Sequence, residues 1–119
     1  SIFREEIKRN VSKDIIITLP AKIKWEDYQK ELDTVKDGGM VLNFKVPYFP
    51  KETGVGKRCY LIHKGAIRGW MEIVGMEERD FVCEVTGKQW TGKFIQRSGP
   101  FHEISPIPMK GFQGFKYFN

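Results

Sequence analysis

The chain has 119 residues and a formal net charge of +5, and its hydrophobic fraction of 40% excludes an intrinsically disordered protein. This length predicts one domain with a single modest core. No apolar run approaches the ~20 residues that span a bilayer, and the polar N-terminal sequence is unlike a signal peptide. Because the two Cys residues come without a secretory signal, we expect a cytoplasmic protein that does not bind a membrane.

The chain opens on a charged stretch, which is followed by a buried strand. Residues 1–13 form an N-terminal extension, helical or disordered, before a single domain that we assign to residues 14–119. Ile15–Leu19 is a run of β-branched and aliphatic residues that ends at Pro20. Such a run predicts a buried first strand.

One helix and a second strand follow. Apolar residues spaced three, four and three apart predict a helix from about Trp25 to Lys36, which ends at Gly38-Gly39. Its aromatic side chains, on one apolar face, belong to the core. Alternating apolar residues then predict a strand over Met40–Val46.

The segment Lys57–Met76 predicts a β-hairpin at the centre of the fold. Two runs rich in β-branched and aromatic residues flank a turn at Lys64-Gly65. In the second run, Ile67, Met71 and Ile73 share one parity, and Trp70 has the other. Trp70 is therefore expected on the ligand side and not in the core.

The last third of the chain predicts short strands separated by turns. Charge, Gly and Pro mark the breaks between them. The predicted segments are an acidic turn at Glu77–Asp80, a strand at Phe81–Val85, a loop at Gly87–Gly92, a strand at Lys93–Arg97, a break at Ser98-Gly99-Pro100, an extended segment at Ile104–Pro108 and a closing strand at Gly111–Phe118. Six or seven short strands in so short a chain should pair most of their edges, so the fold class is α+β, a small mixed β-barrel with one main helix.

The order of these elements resembles the PUA-like superfamily, and within it the ASCH domain, over roughly residues 15–118. The ASCH motif Gly-x-Lys-x-x-Glu-x-Arg aligns with Gly38–Lys45. The Gly is kept, Met40 and Asn43 stand at the Lys and Glu positions, and Lys45 is a conservative replacement for Arg. The segment Val55–Ile73 (VGKRCYLIHKGAIRGWMEI) is similar to the family's next pair of strands.

This resemblance implies a PUA-like, ASCH-type barrel that binds RNA or a modified nucleotide. The family's amidohydrolases place a lysine where Met40 stands and a threonine nucleophile near Asn43. A thioether takes no proton, and an amide is neither a nucleophile nor a titrating base, so we expect no catalysis at these positions. Asn43 and Lys45 can still bind a base edge and a phosphate.

Charge distribution also favours a nucleic-acid partner. From residue 87 to the C-terminus, five basic residues face Glu103 alone, and aromatic residues are interleaved with them. Phosphates are expected on Lys45, Arg68, Lys93 and Arg97, with Arg97-Ser98 as a clamp, while Asn43 and Trp70 meet a base and Trp90 stacks on another. The predicted nucleic-acid contacts are Asn43, Lys45, Arg68, Trp70, Trp90, Lys93, Arg97 and Ser98.

Two other functions remain open from the sequence. A small hydrolase, either a ribonuclease or a nucleoside amidohydrolase, could use His102, Glu103 or Lys45. Alternatively, the basic face could belong to a protein-interaction or inhibitor module. Cys59, His63, Cys83 and His102 lack the local spacing of a zinc site, and there is no phosphate-binding loop or dinucleotide fingerprint, so we expect no metal and no cofactor.

Overall fold

The computed structural model describes residues 13–83 and 86–118. Except for Lys13, the predicted N-terminal extension lies outside the described residues. The elements are strand β1 (Asp14–Thr18), helix α1 (Trp25–Val35), and strands β2 (Leu42–Val46), β3 (Arg58–His63), β4 (Ala66–Val82), β5 (Gln89–Pro108) and β6 (Phe115–Phe118).

The six strands form one mixed sheet in the order β2-β5-β4-β3-β1-β6. Strands β1 and β3 run parallel, and every other neighbouring pair is antiparallel. The sheet curls into a half-barrel around α1, which confirms the small α+β architecture in its coarse form. The predicted closure of a barrel is only partly realised, because β2 and β6 each pair with one neighbour and not with each other.

Helix α1 fills the concave side of the sheet because its apolar residues recur at helical spacing. Tyr28, Leu32 and Val35 are buried, whereas Glu26 and Asp27 occupy the first turn, where the helix dipole favours negative charge. The helix ends before Gly38, whose φ of +80° suits glycine and whose N–H donates to the Val35 carbonyl at 3.0 Å. Within the described part of the chain, no helix is long and apolar enough to cross a membrane.

Apolar side chains pack on both faces of the sheet. The inner cluster lies between the sheet and α1 and contains Ile15, Ile17, Leu19, Tyr28, Leu32, Val35, Val46, Cys59, Leu61, Met71, Ile73 and Ile95. The outer cluster contains Ile16, Tyr60, Ile62 and Ile67, covered by Trp70, Ile104, Met109, Phe112 and Phe118. Alternate residues of β1 and β3 contribute to the two clusters, so both central strands are buried on both faces.

Strand β4 is longer than the sequence predicts. Glu77–Asp80 is not a turn, and Phe81 continues the strand that begins at Ala66. The acidic residues Glu77, Glu78 and Asp80 are tolerated because their side chains are exposed along this end of β4, of which residues 79–82 pair with β5 alone. Glu78, for example, forms an ion pair of 3.3 Å with Lys93 on β5. Cys83 follows the strand, and the rest of the predicted strand Phe81–Val85 falls outside the described residues.

Strand β5 runs through the predicted break at Ser98-Gly99-Pro100. From Trp70 to Glu72, β4 advances two residues, while their partners His102 and Ser98 are four residues apart. The two extra residues form a bulge, and Gly99 adopts a φ of +81° within it. A further register shift between Ile67 and Gly69 places Ile67 in the outer cluster and Met71 in the inner one, so their predicted common face is wrong.

Candidate functional site

A cavity of about 490 Å³ opens inside the half-barrel, beside α1. Its walls are mostly apolar and come from α1, β1, β2, β3, β5 and the segment after β1. Six residues that define this half-barrel cavity are Ile17, Leu19, Tyr28, Phe44, Trp90 and Arg97. A mostly apolar cavity of this size, with a few polar groups, is typical of a site for a small organic ligand.

Arg97 is a buried charged residue inside the half-barrel. Its side chain is only 4% exposed, and Nη1 donates a hydrogen bond of 3.1 Å to Tyr28 Oη. Among the described residues, its Nε atom is buried without a hydrogen-bond partner. A guanidinium has five N–H donors, and a buried donor without a partner is costly, so Arg97 has capacity for an acceptor that residues 13–83 and 86–118 do not supply.

The guanidinium remains charged in this environment. Burial acts to lower the pKa of Arg97, but Tyr28, Cys59 and Glu31 act in the opposite direction, and its pKa lies above the ordinary value. Arg97 in turn opposes the effect of burial on Cys59, whose pKa is nevertheless raised to about 11. The cavity therefore presents a positive charge in apolar surroundings.

Two more of the predicted site residues, Asn43 and Trp90, line the same cavity. Asn43 Oδ1 accepts a long hydrogen bond of 3.4 Å from Gln96 Nε2 across the β2–β5 pair. The Trp90 ring is half-buried and stacks on Phe94 with ring centroids 5.9 Å apart. The structure thus brings together Asn43, Trp90 and Arg97, which are 54 positions apart in the chain at most.

Tyr28 and Glu31 also line this cavity, and sequence reasoning missed both. The helical spacing predicts Tyr28 on the apolar face of the helix and Glu31 on its solvent face. Two signals were present in the sequence. A buried tyrosine hydroxyl needs a polar partner, and residues three apart on a helix lie on the same side.

The predicted phosphate-binding lysines lie on the β2–β5 side of the molecule. Lys45 follows Phe44 on β2 and is exposed. Lys93 is half-buried, and its Nζ pairs with Glu78 Oε1 at 3.3 Å. In the pairing of β2 with β5, Lys45 lies opposite Phe94, and Lys93 lies opposite Val46. The two lysines therefore occupy adjacent positions on neighbouring strands.

Arg68 lies in a second cavity, of about 580 Å³, next to the turn between β3 and β4. Lys24 and Lys64 share this turn cavity with Arg68, as do the carboxylates of Glu26 and Glu103. Arg68 Nε donates to the His63 carbonyl at 2.9 Å, which fixes the side chain against the turn. The structure therefore separates Arg68 from Arg97.

Trp70 lies on the outer face of the sheet with both sides of its ring covered. The Arg58 guanidinium lies 4.1 Å from the ring centroid, and the His102 ring stacks at 4.0 Å with an interplanar angle of 17°. Two groups at these distances cannot share one face of an indole. A base that stacked on Trp70 would therefore have to displace Arg58 or His102.

Three other predicted residues lie outside the half-barrel cavity. Ser98 is buried, and its Oγ donates to the carbonyls of Met40 and, at 3.5 Å, Val35. His102 lines a groove with Trp70, whereas Glu103 lines the turn cavity and a groove beside α1. The proposed acid–base pair, His102 and Glu103, is thus divided between different concave surfaces.

No three His, Cys, Asp or Glu side chains come together as a metal site within residues 13–83 and 86–118. Of the four residues considered for zinc, Cys59 is buried in the inner cluster and His63 Nε2 is hydrogen-bonded to the Ile23 carbonyl at 2.8 Å.

Comparison of the chain with protein-family models, curated proteins and solved structures gives no match.

Proposed function

We propose that this protein binds single-stranded RNA, without catalysis, by taking one base into the half-barrel cavity. The observation that carries the proposal is Arg97, a buried guanidinium with an unsatisfied Nε–H in a cavity of ligand size. The apolar and aromatic walls suit the faces of a base, and the guanidinium suits acceptor atoms on its edge. An ASCH-type, PUA-like identity would agree with this function and is part of the proposal.

The burial of Arg97 changes the role that the sequence predicts for it. A phosphate within a strand is flanked by sugars on both sides, so it stays near the protein surface. A base projects from the backbone and can enter a cavity. Arg97, at 4% exposure, is therefore assigned to the base, and phosphates are left to exposed or half-buried cations such as Lys45 and Lys93.

The division of His102 and Glu103 between separate surfaces gives the hydrolase alternative no assembled acid–base pair. The half-barrel cavity instead combines apolar walls with a fixed cation, which is an arrangement for binding. The cation is accompanied by Tyr28, which orients it by accepting its hydrogen bond. A binding role accounts for both residues.

Fluorescence anisotropy with labelled single- and double-stranded RNA and DNA, repeated at several salt concentrations, tests the proposal. We expect the tightest binding for single-stranded RNA, at micromolar or lower Kd, because duplex bases cannot enter a cavity. Two to four phosphate contacts would give a slope of about −1.4 to −2.8 in the plot of log K against log salt concentration. No binding to any single strand at low salt would refute the function.

A matched pair of variants separates the cavity from general charge. Arg97→Met should weaken RNA binding at least tenfold. Lys116→Met also removes one positive charge, but on β6, where Lys116 lies opposite Ile16 of the outer cluster in the strand register. This variant should change the RNA affinity less than twofold. Equal losses in the two variants would mean that charge alone, and not the cavity, binds the RNA.

A further inference from the structure

The half-barrel cavity holds a carboxylate as well as a guanidinium. Glu31 lies on α1, three residues after Tyr28, and both line the cavity with Arg97. Glu31 is near enough to Arg97 to contribute to the rise in its pKa. Among the described residues, however, no ion pair of 4.0 Å or less joins the two side chains.

The two charged groups therefore remain available to a ligand between them. An acid and a guanidinium that paired directly would satisfy each other and leave little for a third partner. Here Glu31 is exposed at the edge of the cavity and Arg97 is buried within it. A ligand that enters past Glu31 meets an acceptor-only group first and a donor-only group farther in.

We infer that the cavity selects guanine, with Arg97 donating to O6 or N7 and Glu31 accepting from N1–H and N2–H₂. This inference rests on the proposed function and specifies the base that the same site takes. Guanine carries acceptors and two adjacent donors on neighbouring edges, so it complements a guanidinium and a carboxylate at once. Trp90 and Phe44 supply aromatic surface in the same cavity for the faces of the base.

The other bases fit this pair of groups less well. Adenine and cytosine each present one amino donor to Glu31 and, beside it, one ring acceptor to Arg97, so each lacks the second adjacent donor that guanine offers to the carboxylate. Uracil offers O4 to Arg97 and a single donor, N3–H, to Glu31. The chemistry therefore predicts guanine as the tightest base, because among the four it alone offers two adjacent donors to the carboxylate together with acceptors for the guanidinium.

The test uses single-stranded RNA oligomers of adenosine with one central position varied, measured by anisotropy competition on the full chain. The central base is guanine, hypoxanthine, uracil, cytosine or adenine. Guanine should bind at least tenfold more tightly than adenine or cytosine, since a good pair of hydrogen bonds to a base gives roughly 5- to 150-fold discrimination. Hypoxanthine, which lacks the 2-amino group, should fall between guanine and adenine.

Variants of α1 test the part played by the carboxylate. Glu31→Gln should reduce the preference for guanine over adenine at least fivefold, because the amide keeps one acceptor and adds a donor. Glu26→Gln makes the same change at another exposed position of α1 that lines the turn cavity, and it should leave the preference unchanged. A guanine preference that survives Glu31→Gln intact would overturn the role of Glu31.

The outcomes distinguish this inference from the proposed function. If all five oligomers bind equally and Arg97→Met still weakens them, guanine selection is wrong and base binding in the cavity stands. If none of the oligomers binds, the proposed function fails and takes the inference with it. A reversed order, with adenine tightest, would refute the assignment of donors and acceptors.

Discussion

Arg97 Nη1 donates a hydrogen bond of 3.1 Å to Tyr28 Oη inside the half-barrel, joining β5 to α1 across 69 positions of sequence. Both side chains are buried, and the neighbouring Nε–H finds no partner in the described part of the chain. An under-satisfied buried charge lowers stability, and replacing a buried polar pair with apolar residues of similar volume is often neutral or stabilising. This relationship leads to the first prediction.

The first prediction concerns the stability of this pair. Tyr28→Phe should lower the free energy of unfolding by about 1–2 kcal/mol, because it removes the acceptor of a buried guanidinium. The double variant Tyr28→Phe/Arg97→Met should range from equal in stability to the wild type to about 2 kcal/mol more stable, because both polar groups are removed together. Urea denaturation of the wild type, both single variants and the double variant measures this cycle. A double variant less stable than Tyr28→Phe alone would contradict it.

The second prediction concerns Cys59 at alkaline pH. Burial raises the pKa of Cys59 to about 11 from an ordinary value of 9.0, with Arg97 opposing the shift. The thiol therefore ionises first in the unfolded state. The protonated Cys59 thiol contributes fully to the free energy of unfolding below about pH 9, and this contribution is lost as the pH rises towards 11.

Urea unfolding of the wild type and Cys59→Ala at pH 8 to 11 measures this effect. The stability advantage of the wild type over Cys59→Ala should shrink by about 2 kcal/mol between pH 9 and 11. The other ionisable groups are the same in both proteins, so their effects cancel in the difference. A constant difference across this range would show that Cys59 is not protected in the folded state.

The spacing of apolar residues and the turn residues are sufficient to predict elements that depend on only a few neighbouring positions. The helix from Trp25 and the hairpin about Lys64-Gly65 are confirmed because their apolar spacing and turn residues act over a few positions. The sequence does not predict the full length of β4 and β5, because charged residues such as Glu78 lie exposed on these strands and do not end them. Charge alone does not distinguish a turn from an exposed strand.

The candidate site was predictable only in part, for a related reason. The sequence points to Arg97 by its position near a glycine and a proline, to Asn43 by its place in the stretch that resembles the ASCH motif, and to Trp90 by residue type. Their common cavity depends on the register of β2 with β5 and on the position of α1, which are long-range contacts. Glu31 follows from none of these patterns, because only the curvature of the sheet brings the helix beside Arg97.

The third prediction concerns Ser98, which the sequence assigns to a phosphate clamp and the structure buries. Its hydroxyl donates to the carbonyls of Met40 and Val35, and so holds the end of α1 and the start of β2 against β5. Ser98→Ala should lower the free energy of unfolding by about 1–2 kcal/mol, because buried carbonyls lose their donor. RNA affinity should stay within twofold of the wild type.

Ser105→Ala provides the control, since Ser105 is an exposed serine on the same strand. Its stability should lie within about 0.5 kcal/mol of the wild type. Thermal unfolding and anisotropy on the same samples give both quantities. A Ser98→Ala protein of normal stability and weakened RNA binding would restore Ser98 to the binding site.

The fourth prediction compares two glycines of β4. A Cβ at Gly69 would collide with the His102 backbone carbonyl and the Phe101 ring, whose Cε2 would lie 2.7 Å away. At Gly75, the colliding atom is the Gln96 amide oxygen, at the end of a flexible side chain, and Gln96 Cδ would lie at 3.5 Å. A backbone carbonyl within a sheet cannot move aside as a side-chain amide can.

Gly69→Ala should therefore lower the free energy of unfolding by about 2–3 kcal/mol, and Gly75→Ala by less than about 1 kcal/mol. Neither glycine has a positive φ, so the difference reports space and not backbone strain. Urea denaturation of the two variants makes the comparison, with near-ultraviolet circular dichroism to confirm native packing. Equal losses would mean that β4 and β5 can separate at Gly69 at little cost, and that the close packing of Phe101 against this glycine does not define the register of the two strands.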